Sequence, residues 1–348
     1  MLDKNSALAA RVVEYGGLVE RYDIIVPSAK AEQIELSGRV MDYGSGGSGK
    51  LARFFKIYQT GKKLGREEKY DVITVQDQYY LALVGLLLAK KFRAGLEIQV
   101  HGFEKFQGLR KLIAEYVLPR AGAIRCVSQR LRRELVEKFG VEEERITVAP
   151  IHSELRITNY ELRIKKDTNK FIFLTVGRLV SVKNIGMQIE AMREVVKSRP
   201  EAELWIAGDG MERKNLELRI KNYELGKNIK MLGWKNDLAP HYNMADAFLL
   251  TSNSEGWGMV VIGAAAAGLP IIMTDVGCAG EVIKNGESGL VIPVRDKEKL
   301  IEAMLKIMAD ENLRKKLSEN AKLAAGRLPS KAETMALYKK SWGLAVNL

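Results

Sequence analysis

Two glycine-rich turns in the second half of the chain carry side chains that could bind an anionic ligand. Arg178 and Lys183 follow one apolar run, and Glu255 follows another, just before a small-residue stretch that begins near Gly258. The first N–H groups of a helix are unpaired donors with partial positive charge, so both turns are candidate phosphate sites. A carboxylate beside such a site needs a neutral partner, such as a sugar hydroxyl. The simpler alternative is that the two cations are solvated surface charges and that Glu255 is an ordinary first-turn acid.

The elements that must position these side chains follow an alternating pattern of apolar runs and helical segments, which is typical of parallel α/β sheets. The pattern predicts a first set of strands near residues 22–27, 39–42, 71–75, 96–100, 123–127 and 146–149. It predicts a second set of six strands near residues 171–176, 203–207, 229–232, 246–251, 270–274 and 289–292. We therefore predict a sequence of structural regions. They are an N-terminal Rossmann-like domain (1–152), a linker (153–170), a C-terminal domain (171–329) and a last helix (330–348).

The N-terminal half opens on a predicted helix, about residues 5–20, instead of a strand. A Rossmann-like domain normally begins with a strand that lies in mid-sheet. We therefore expect this domain to lack its first strand, as a domain truncated at its start would, and to expose strand edges.

Four segments together carry a resemblance to a known family. They are Gly177-Arg178-Leu179 with Lys183-Asn184, Ala207-Gly208-Asp209-Gly210, Glu255-Gly256-Trp257-Gly258 and Gly268-Leu269-Pro270. Their order and spacing over roughly residues 170–295 are similar to those of family-4 retaining glycosyltransferases of the GT-B fold. The resemblance implies an α/β fold of two Rossmann-like, doubly wound parallel-sheet domains facing a cleft. The resemblance also implies that the N-terminal domain (1–152) lies on the acceptor side, that the C-terminal domain (171–329) binds the nucleotide-sugar donor, and that the last helix (330–348) crosses back onto the N-terminal domain.

The same resemblance implies a retaining hexosyltransferase that moves a sugar from a nucleotide-sugar donor (UDP-, GDP- or ADP-sugar) to a glycan or lipid-linked acceptor. The setting would be cell-envelope or surface polysaccharide synthesis, with no cofactor and no metal. Fixed cations and helix N-termini would then carry the charge of the diphosphate leaving group.

Four residues receive catalytic roles from the resemblance. Arg178 and Lys183 match the diphosphate-binding pair, Glu255 matches the acid beside the donor sugar, and His101 matches a histidine at the donor–acceptor junction. The other donor-binding positions that it implies are Gly177, Gly208, Trp234, Gly256, Trp257, Gly258, Met259, Gly263, Gly277 and Glu281. A turn histidine and an ordinary core or surface tryptophan remain alternatives for His101 and Trp234.

Gly263 departs from the family pattern, because the family has a second glutamate eight residues after the first, which holds the ribose hydroxyls. Loss of a charge-assisted hydrogen bond of about 1.5–3 kcal/mol would weaken donor binding. A catalytically impaired nucleotide-sugar-binding relative, whether pseudoenzyme or truncated fragment, is therefore the second interpretation. A GT-B epimerase or phosphorylase would share the fold but would not have the Glu-Gly-x-Gly motif that begins at Glu255.

The 348-residue chain has a formal net charge of +12, much of it in the N-terminal half. Basic chains favour anionic partners, but no nucleic-acid motif or interleaved aromatic platform accompanies the charge, so we expect no nucleic-acid partner. A basic N-terminal face would suit an anionic membrane that carries a lipid-linked acceptor. An ordinary solubilising surface is the alternative.

The chain shows no signal-peptide pattern, and its longest apolar run, Tyr79–Ala89, is too short to span a bilayer. The two cysteines, Cys126 and Cys278, are far apart and cannot form a metal framework. These features predict a cytoplasmic protein, membrane-associated on the cytoplasmic face if the basic surface binds lipid.

One segment has the glycine and lysine spacing of a nucleotide-binding loop. Residues Gly44–Lys50 fit the G-x-x-x-x-G-K spacing, but the next residue is Leu51, where a Ser or Thr is needed to hold Mg²⁺. We interpret this segment as a flexible loop before a basic helix.

Overall fold

The structure, a computed structural model, describes residues 3–103, 107–152 and 169–346. The chain forms two compact units, one of residues 1–150 and 329–348 and the other of residues 151–328. Most of the predicted linker (153–170) lies outside the described residues. No helix in the described part of the chain is long and apolar enough to cross a membrane.

The N-terminal unit contains two small sheets. Its strands are β1 (Tyr22–Val26), β2 (Gln33–Ser37), β3 (Val40–Gly44), β4 (Val72–Val75), β5 (Gly95–Val100), β6 (Ala123–Cys126) and β7 (Ile146–Val148). One sheet has the order β1-β3-β2, with β2 antiparallel, and the other is the all-parallel β4-β5-β6-β7. The sequence pattern predicts no strand at β2, which forms because its backbone pairs with β3 across the tight turn at Gly38 and Arg39.

Its first five helices alternate with these strands. They are α1 (Ala7–Gly16), α2 (Lys50–Glu67), α3 (Tyr80–Phe92), α4 (Leu109–Val117) and α5 (Gln129–Phe139). The glycine-rich segment before Lys50 is the loop between β3 and α2, as expected, and Gly46 and Gly47 both have positive φ there.

Strands β1 and β4 are edge strands that share one apolar cluster. Ile25 of β1 and Ile73 of β4 both pack against the buried Ile57, Val84 and Leu88 of α2 and α3. The Tyr70 hydroxyl, before β4, donates to the carboxylate of Asp23 on β1. Within the described residues, no further strand pairs with the free edge of β1 or of β4. The two sheets are therefore separate in their backbone hydrogen bonds, although helices and side chains pack between them.

The C-terminal unit is built on one six-stranded parallel sheet. Its strands are β8 (Phe171–Val176), β9 (Ala202–Ala207), β10 (Ile229–Gly233), β11 (Ala247–Leu250), β12 (Ile271–Thr274) and β13 (Leu290–Ile292). The order β10-β9-β8-β11-β12-β13 is that of a dinucleotide-binding Rossmann sheet. The direction of strand addition reverses between β8 and β11, and in such sheets ligands bind beyond the carboxyl ends of the strands at this point.

Helices cover this sheet and bury its apolar core. They are α6 (Ile185–Ser198), α7 (Arg213–Asn222), α8 (Ala239–Met244), α9 (Met259–Ala266), α10 (Lys297–Ala309) and α11 (Glu311–Gly326). The strands are almost wholly apolar because helices cover a parallel sheet on both faces. Asp296 and Asp310 cap α10 and α11 by accepting hydrogen bonds from the N–H groups of Lys299 and Leu313.

The last helix, α12 (Lys331–Val346), packs on β5 and β6 of the N-terminal unit. The Ser341 hydroxyl donates to the buried carboxylate of Glu97 at 2.9 Å, and Glu97 also pairs with Arg125 at 2.8 Å. The Arg125 guanidinium lies 3.4 Å from the ring centroid of Tyr338. A buried charge is tolerated only when it is paired and hydrogen-bonded, so this cluster fixes where α12 docks.

Candidate functional site

The turn after β8 lies at the switch point of the C-terminal sheet and carries two predicted cations. Gly177 directly follows the strand, Arg178 is exposed, and Lys183 ends a short 3₁₀ helix. Asn184 follows in the left-handed conformation, with φ of 49° and no side-chain cap, and α6 begins after it. The two cations therefore stand beyond the carboxyl end of β8, where the fold places ligands.

The turn after β11 brings Glu255 to the same place. The Glu255 carboxylate accepts hydrogen bonds from the Lys183 ammonium and from the Ser252 hydroxyl, the latter at 2.6 Å. Both charged side chains are largely buried, with 17% and 12% of their surfaces exposed. The structure thus joins two residues that the sequence analysis placed in separate turns.

A buried polar network beneath this pair holds the two turns together. The amide of Gln188 on α6 donates to the hydroxyls of Thr251 at 2.8 Å and Thr175 at 3.2 Å. The Thr251 hydroxyl in turn donates to the carbonyls of Lys183 and Asn184, at 3.2 and 3.1 Å. Sequence reasoning did not single out Ser252, Thr251 or Gln188. The feature of the sequence that could have indicated Thr251 and Ser252 is the run of four polar residues, 251–254, directly after an apolar strand.

The predicted glycine at position 208 is required by close backbone contact. Gly208 has φ of 145°, and a Cβ there would lie 1.8 Å from the carbonyl oxygen of Gly177. Gly210 likewise approaches the backbone of Leu179, whose N–H donates to the Asp209 carbonyl at 2.9 Å. The turn after β9 therefore packs directly on the turn that holds the cations.

Helix α9 begins at the expected position. Gly258 is its N-cap residue with φ of 88°, Met259 is the first helical residue and is half-buried, and Gly263 lies buried one turn further on. Gly256 is half-buried in the preceding turn. The first N–H groups of α9 thus lie directly after Glu255, which makes this end a second source of positive potential beside Lys183.

The loop after β12 closes over the Glu255 turn. Gly277 has φ of 58°, and a Cβ there would lie 2.7 Å from the Trp257 carbonyl and 3.0 Å from the Glu255 Cβ. The Cys278 N–H donates to the same Trp257 carbonyl at 3.0 Å. The geometry therefore requires glycine at position 277.

The two predicted tryptophans differ in environment. Trp234, after β10, is 66% exposed, and its indole N–H donates to the Asn236 side chain at 3.0 Å. Trp257 is only 2% exposed. Trp234 can therefore offer its ring to a ligand, whereas Trp257 belongs to the core and has mainly its backbone available.

Glu281 lines a cavity of about 270 Å³ between the loop after β12 and α11. Lys284, Ser288 and Arg327 line the same cavity. None of the other predicted site residues is among its lining residues, so Glu281 is the one predicted position associated with it.

His101 belongs to the N-terminal unit, where it follows β5. His101 is exposed, but the protein around its imidazole ring partly excludes water and so disfavours the charged form. The positive charge of Arg125 adds to this effect, and together they lower the pKa of His101 below its ordinary value of 6.5. The nearby Glu97 acts in the opposite direction. His101 is therefore mainly neutral at pH 7 and able to accept a proton.

The arrangement in the C-terminal unit can bind an anion and a neutral hydroxyl side by side. Arg178, Lys183 and the first N–H groups of α9 provide the positive potential, and Glu255 provides a hydrogen-bond acceptor. Within the residues that the structure describes, no group of three His, Cys, Asp or Glu side chains is arranged to hold a metal ion.

Comparison with known proteins finds two family models on the chain. The model described as Glycosyl transferases group 1 matches residues 158–324, and that described as Glycosyltransferase Family 4 matches residues 21–151. Together the two models span most of both units.

Among curated proteins, the lipopolysaccharide core biosynthesis glycosyltransferase LpsE of Rhizobium meliloti is 31% identical over 159 residues, which is 45% of this chain and 46% of LpsE. The match thus spans about half the length of that relative. The UDP-Gal:alpha-D-GlcNAc-diphosphoundecaprenol alpha-1,3-galactosyltransferase of Escherichia coli is 26% identical and covers 72% of this chain and 70% of its own. The alpha-monoglucosyldiacylglycerol synthase of Acholeplasma laidlawii is 25% identical, with coverage of 84% and 78%.

Solved structures match the fold over nearly the whole chain. Sucrose-phosphate synthase from Thermosynechococcus elongatus has a TM-score of 0.79 at 20% identity, with 97% of this chain and 93% of that chain covered. HepE of Anabaena in complex with UDP and glucose has a TM-score of 0.74 at 18% identity, with coverage of 93% and 100%. These matches confirm the predicted GT-B fold class with Rossmann-like parallel sheets.

Proposed function

The chain belongs to the glycosyl transferases group 1 family, and from this we propose that it transfers a sugar from a nucleotide-sugar donor to a glycan or lipid-linked acceptor. The reaction would retain the configuration at the anomeric carbon and proceed without a bound metal. The acceptor would belong to cell-envelope or surface polysaccharide synthesis. Relatives named for lipopolysaccharide core synthesis, for a diphosphoundecaprenol acceptor and for a glucosyldiacylglycerol support this setting.

One observation carries the proposal: Lys183 and Glu255 meet at the sheet's switch point, beside the start of α9. Departure of a nucleoside diphosphate develops negative charge on its phosphates, and cations fixed in advance stabilise that charge without reorganisation. Arg178 and Lys183 are such cations, and the N–H groups of α9 add to them. On donor binding the Lys183 ammonium would share its hydrogen bonds between phosphate and Glu255.

Glu255 would then accept a hydrogen bond from a hydroxyl of the donor sugar and hold the ring beside the diphosphate. The buried hydroxyl of Ser252 already orients this carboxylate. His101, neutral at pH 7, would accept a hydrogen bond or a proton at the acceptor side. The exposed ring of Trp234 would stack on the nucleobase.

Gly263 favours a second candidate, a nucleotide-sugar-binding relative with little or no turnover. The position lies buried one turn inside α9 and has no side chain with which to bind a ribose. This candidate shares the donor site with the first and differs from it in lacking turnover.

Donor binding is tested first, by isothermal titration and thermal shift of the full chain with UDP, GDP and ADP and their common hexose conjugates, each with and without EDTA. We expect one nucleotide to bind, with the same affinity in EDTA. Lys183→Ala should abolish this binding, whereas Lys322→Ala, at a lysine of α11, should not. Failure of every nucleotide to bind to folded protein would contradict the proposal.

Turnover is tested next, by release of the bound nucleotide from its sugar conjugate in the presence of lipid-linked and oligosaccharide acceptors. The anomeric configuration of the product, read from its proton coupling, would decide between retention and inversion. Binding without turnover on any acceptor would favour the second candidate.

A further inference from the structure

The turn that carries His101 is held from the neighbouring strand. His101 and Gly102 directly follow β5, and the Gly102 carbonyl accepts a hydrogen bond from the side-chain amide of Gln78 at 2.5 Å. Gln78 lies in the turn between β4 and α3 and is only 6% exposed. Strands β4 and β5 are parallel neighbours, so this hydrogen bond joins their carboxyl ends at the point where His101 stands.

Gln78 is itself fixed by the start of α3. The carboxylate of Asp77 accepts a hydrogen bond from the Leu81 N–H at 2.9 Å and so satisfies one of the first N–H groups of the helix. Tyr79, the residue before α3, is 8% exposed and belongs to the core. Because Gln78 lies between these two anchored residues, its amide has little freedom to move away from the Gly102 carbonyl.

A buried polar row fixes the strands beneath His101. Glu97 and Gln99 alternate along β5 in the pattern that His101 continues, and neither is more than 5% exposed. The Gln99 amide donates to the Thr74 hydroxyl of β4 at 2.9 Å, and Arg125 of β6 pairs with Glu97 at 2.8 Å. Displacing such buried groups would leave them without partners, which is unfavourable. The strand ends are therefore fixed, and the Gln78 hydrogen bond extends this support to the turn.

We propose that Gln78 is a positioning residue for His101. Its amide holds the Gly102 carbonyl and thereby sets where the imidazole of the preceding residue lies. The inference rests on the proposed function, in which His101 accepts a hydrogen bond or a proton at the acceptor side. One hydrogen bond adds little to the stability of a whole unit, but a displacement of about 1 Å in a catalytic site can lower the rate about 100-fold. Loss of the Gln78 amide should therefore affect His101 far more than it affects folding.

The test is an NMR titration of the histidines in the full chain and in Gln78→Met, which removes the donor and keeps the length of the side chain. The chain has three histidines, His101, His152 and His241, so their signals can be separated and that of His101 assigned with His101→Gln. Partial burial and the charge of Arg125 hold the pKa of His101 below 6.5. A displaced imidazole would gain water, so its pKa should rise towards 6.5 in Gln78→Met, while those of the other two histidines should not change.

Two further glutamine-to-methionine substitutions are the matched controls. Gln59→Met changes an exposed glutamine of α2 and should leave the histidine titrations and turnover as they are in the unmodified chain. Gln188→Met removes the buried amide beneath the donor turns, so it should weaken nucleotide binding and leave the His101 titration unchanged. Gln78→Met should do the reverse: nucleotide affinity should stay the same, and kcat in the turnover assay should fall about tenfold or more.

The titration needs neither donor nor acceptor, so failure of the positioning role and failure of the proposed function are distinguishable. Gln78→Asn, which keeps the amide on a side chain one methylene shorter, is the milder variant to titrate if Gln78→Met does not fold. An unchanged His101 pKa in a folded Gln78 variant would overturn the proposal. Equal shifts of all three histidines would overturn it too, because they would indicate a general loosening of the chain. A shifted His101 pKa with undiminished kcat would show that the position of His101 does not matter for the reaction, and would likewise overturn it.

Discussion

Lys183 and Glu255, which are 72 residues apart in the chain, form an ion pair that joins the turn after β8 to the turn after β11. Neither side chain is more than 17% exposed, so each neutralises a charge that would otherwise lie mostly out of water. In the proposed function, Lys183 would bind the diphosphate of a nucleotide sugar and Glu255 would bind a hydroxyl of its sugar. The pair therefore holds the site together and keeps its charges ready for a ligand.

A double-mutant cycle measures this coupling. Lys183→Met alone leaves the Glu255 carboxylate partly buried without its cation, and Glu255→Gln alone leaves the lysine likewise, so each should lower the free energy of unfolding by about 1–3 kcal/mol. The double variant should lose less than the sum of the two, as measured by urea unfolding. The control cycle uses the exposed pair Lys315 and Glu311, whose coupling should stay below about 0.5 kcal/mol. Equal coupling in the two cycles would refute the structural role of the buried pair.

Glycine 208 should not tolerate a side chain. Gly208→Ala would place a Cβ 1.8 Å from the Gly177 carbonyl at a positive φ, so the turn that positions Arg178 and Lys183 must shift. We expect both a lower melting temperature and a loss of nucleotide affinity of about tenfold or more. Gly226→Ala, where a Cβ would meet nothing within 4 Å, is the matched control and should change neither quantity. If Gly208→Ala retains both stability and affinity, the close packing of the two turns is not required.

Restoring an acid at position 263 should strengthen nucleotide binding. Gly263→Glu would supply the carboxylate that the family pattern has at this position, and a charge-assisted hydrogen bond to the ribose corresponds to an affinity gain of about tenfold or more. Titration calorimetry with the nucleotide identified in the donor panel measures the change. Gly263→Ala tests the effect of filling the buried position without the charge and should not tighten binding. Unchanged nucleotide affinity in the Gly263→Glu variant would contradict this prediction.

The stability of the C-terminal unit should depend on Glu203 in acid. Burial disfavours the ionised form of this carboxylate, but hydrogen bonds from Lys170, Lys230 and the Trp205 indole outweigh that effect and bring its pKa to about 2. Because the folded pKa lies below the ordinary value of 4.5, the unfolded chain binds the proton more readily. This contribution to stability is complete above pH 4.5 and is lost as the pH falls towards 2.

Glu203→Gln should therefore be less stable than the unmodified chain at neutral pH, and the difference should shrink between pH 4.5 and 2. Urea unfolding at a series of pH values measures it. Glu201→Gln, at an exposed acid of the preceding turn, is the control and should show little difference at any pH. A pH-independent difference for Glu203→Gln would show that its ion pairs do not lower the pKa.

Much of the fold could be predicted because most strands have an apolar sequence pattern of their own that agrees with their place in a sheet. Apolar runs of strand length separated by helical segments predicted the six strands of the C-terminal sheet near their observed positions, and they predicted α9 from Gly258. Strand β2 was not predicted, because Gln33–Ser37 has little strand preference of its own and forms a strand only by pairing with β3.

The sequence alone determined the residue types of the site and the turns that hold them, since glycines, cations and Glu255 follow apolar strands at recognisable spacings. Only the tertiary structure decided which of them meet. The strand order puts β8 beside β11, and this order brings Lys183 to Glu255 and Gln188 to Thr251. It also buries Trp257 while leaving Trp234 exposed. The physical reason is that contacts between distant segments depend on how strands associate, and the local pattern of a strand does not specify its neighbour.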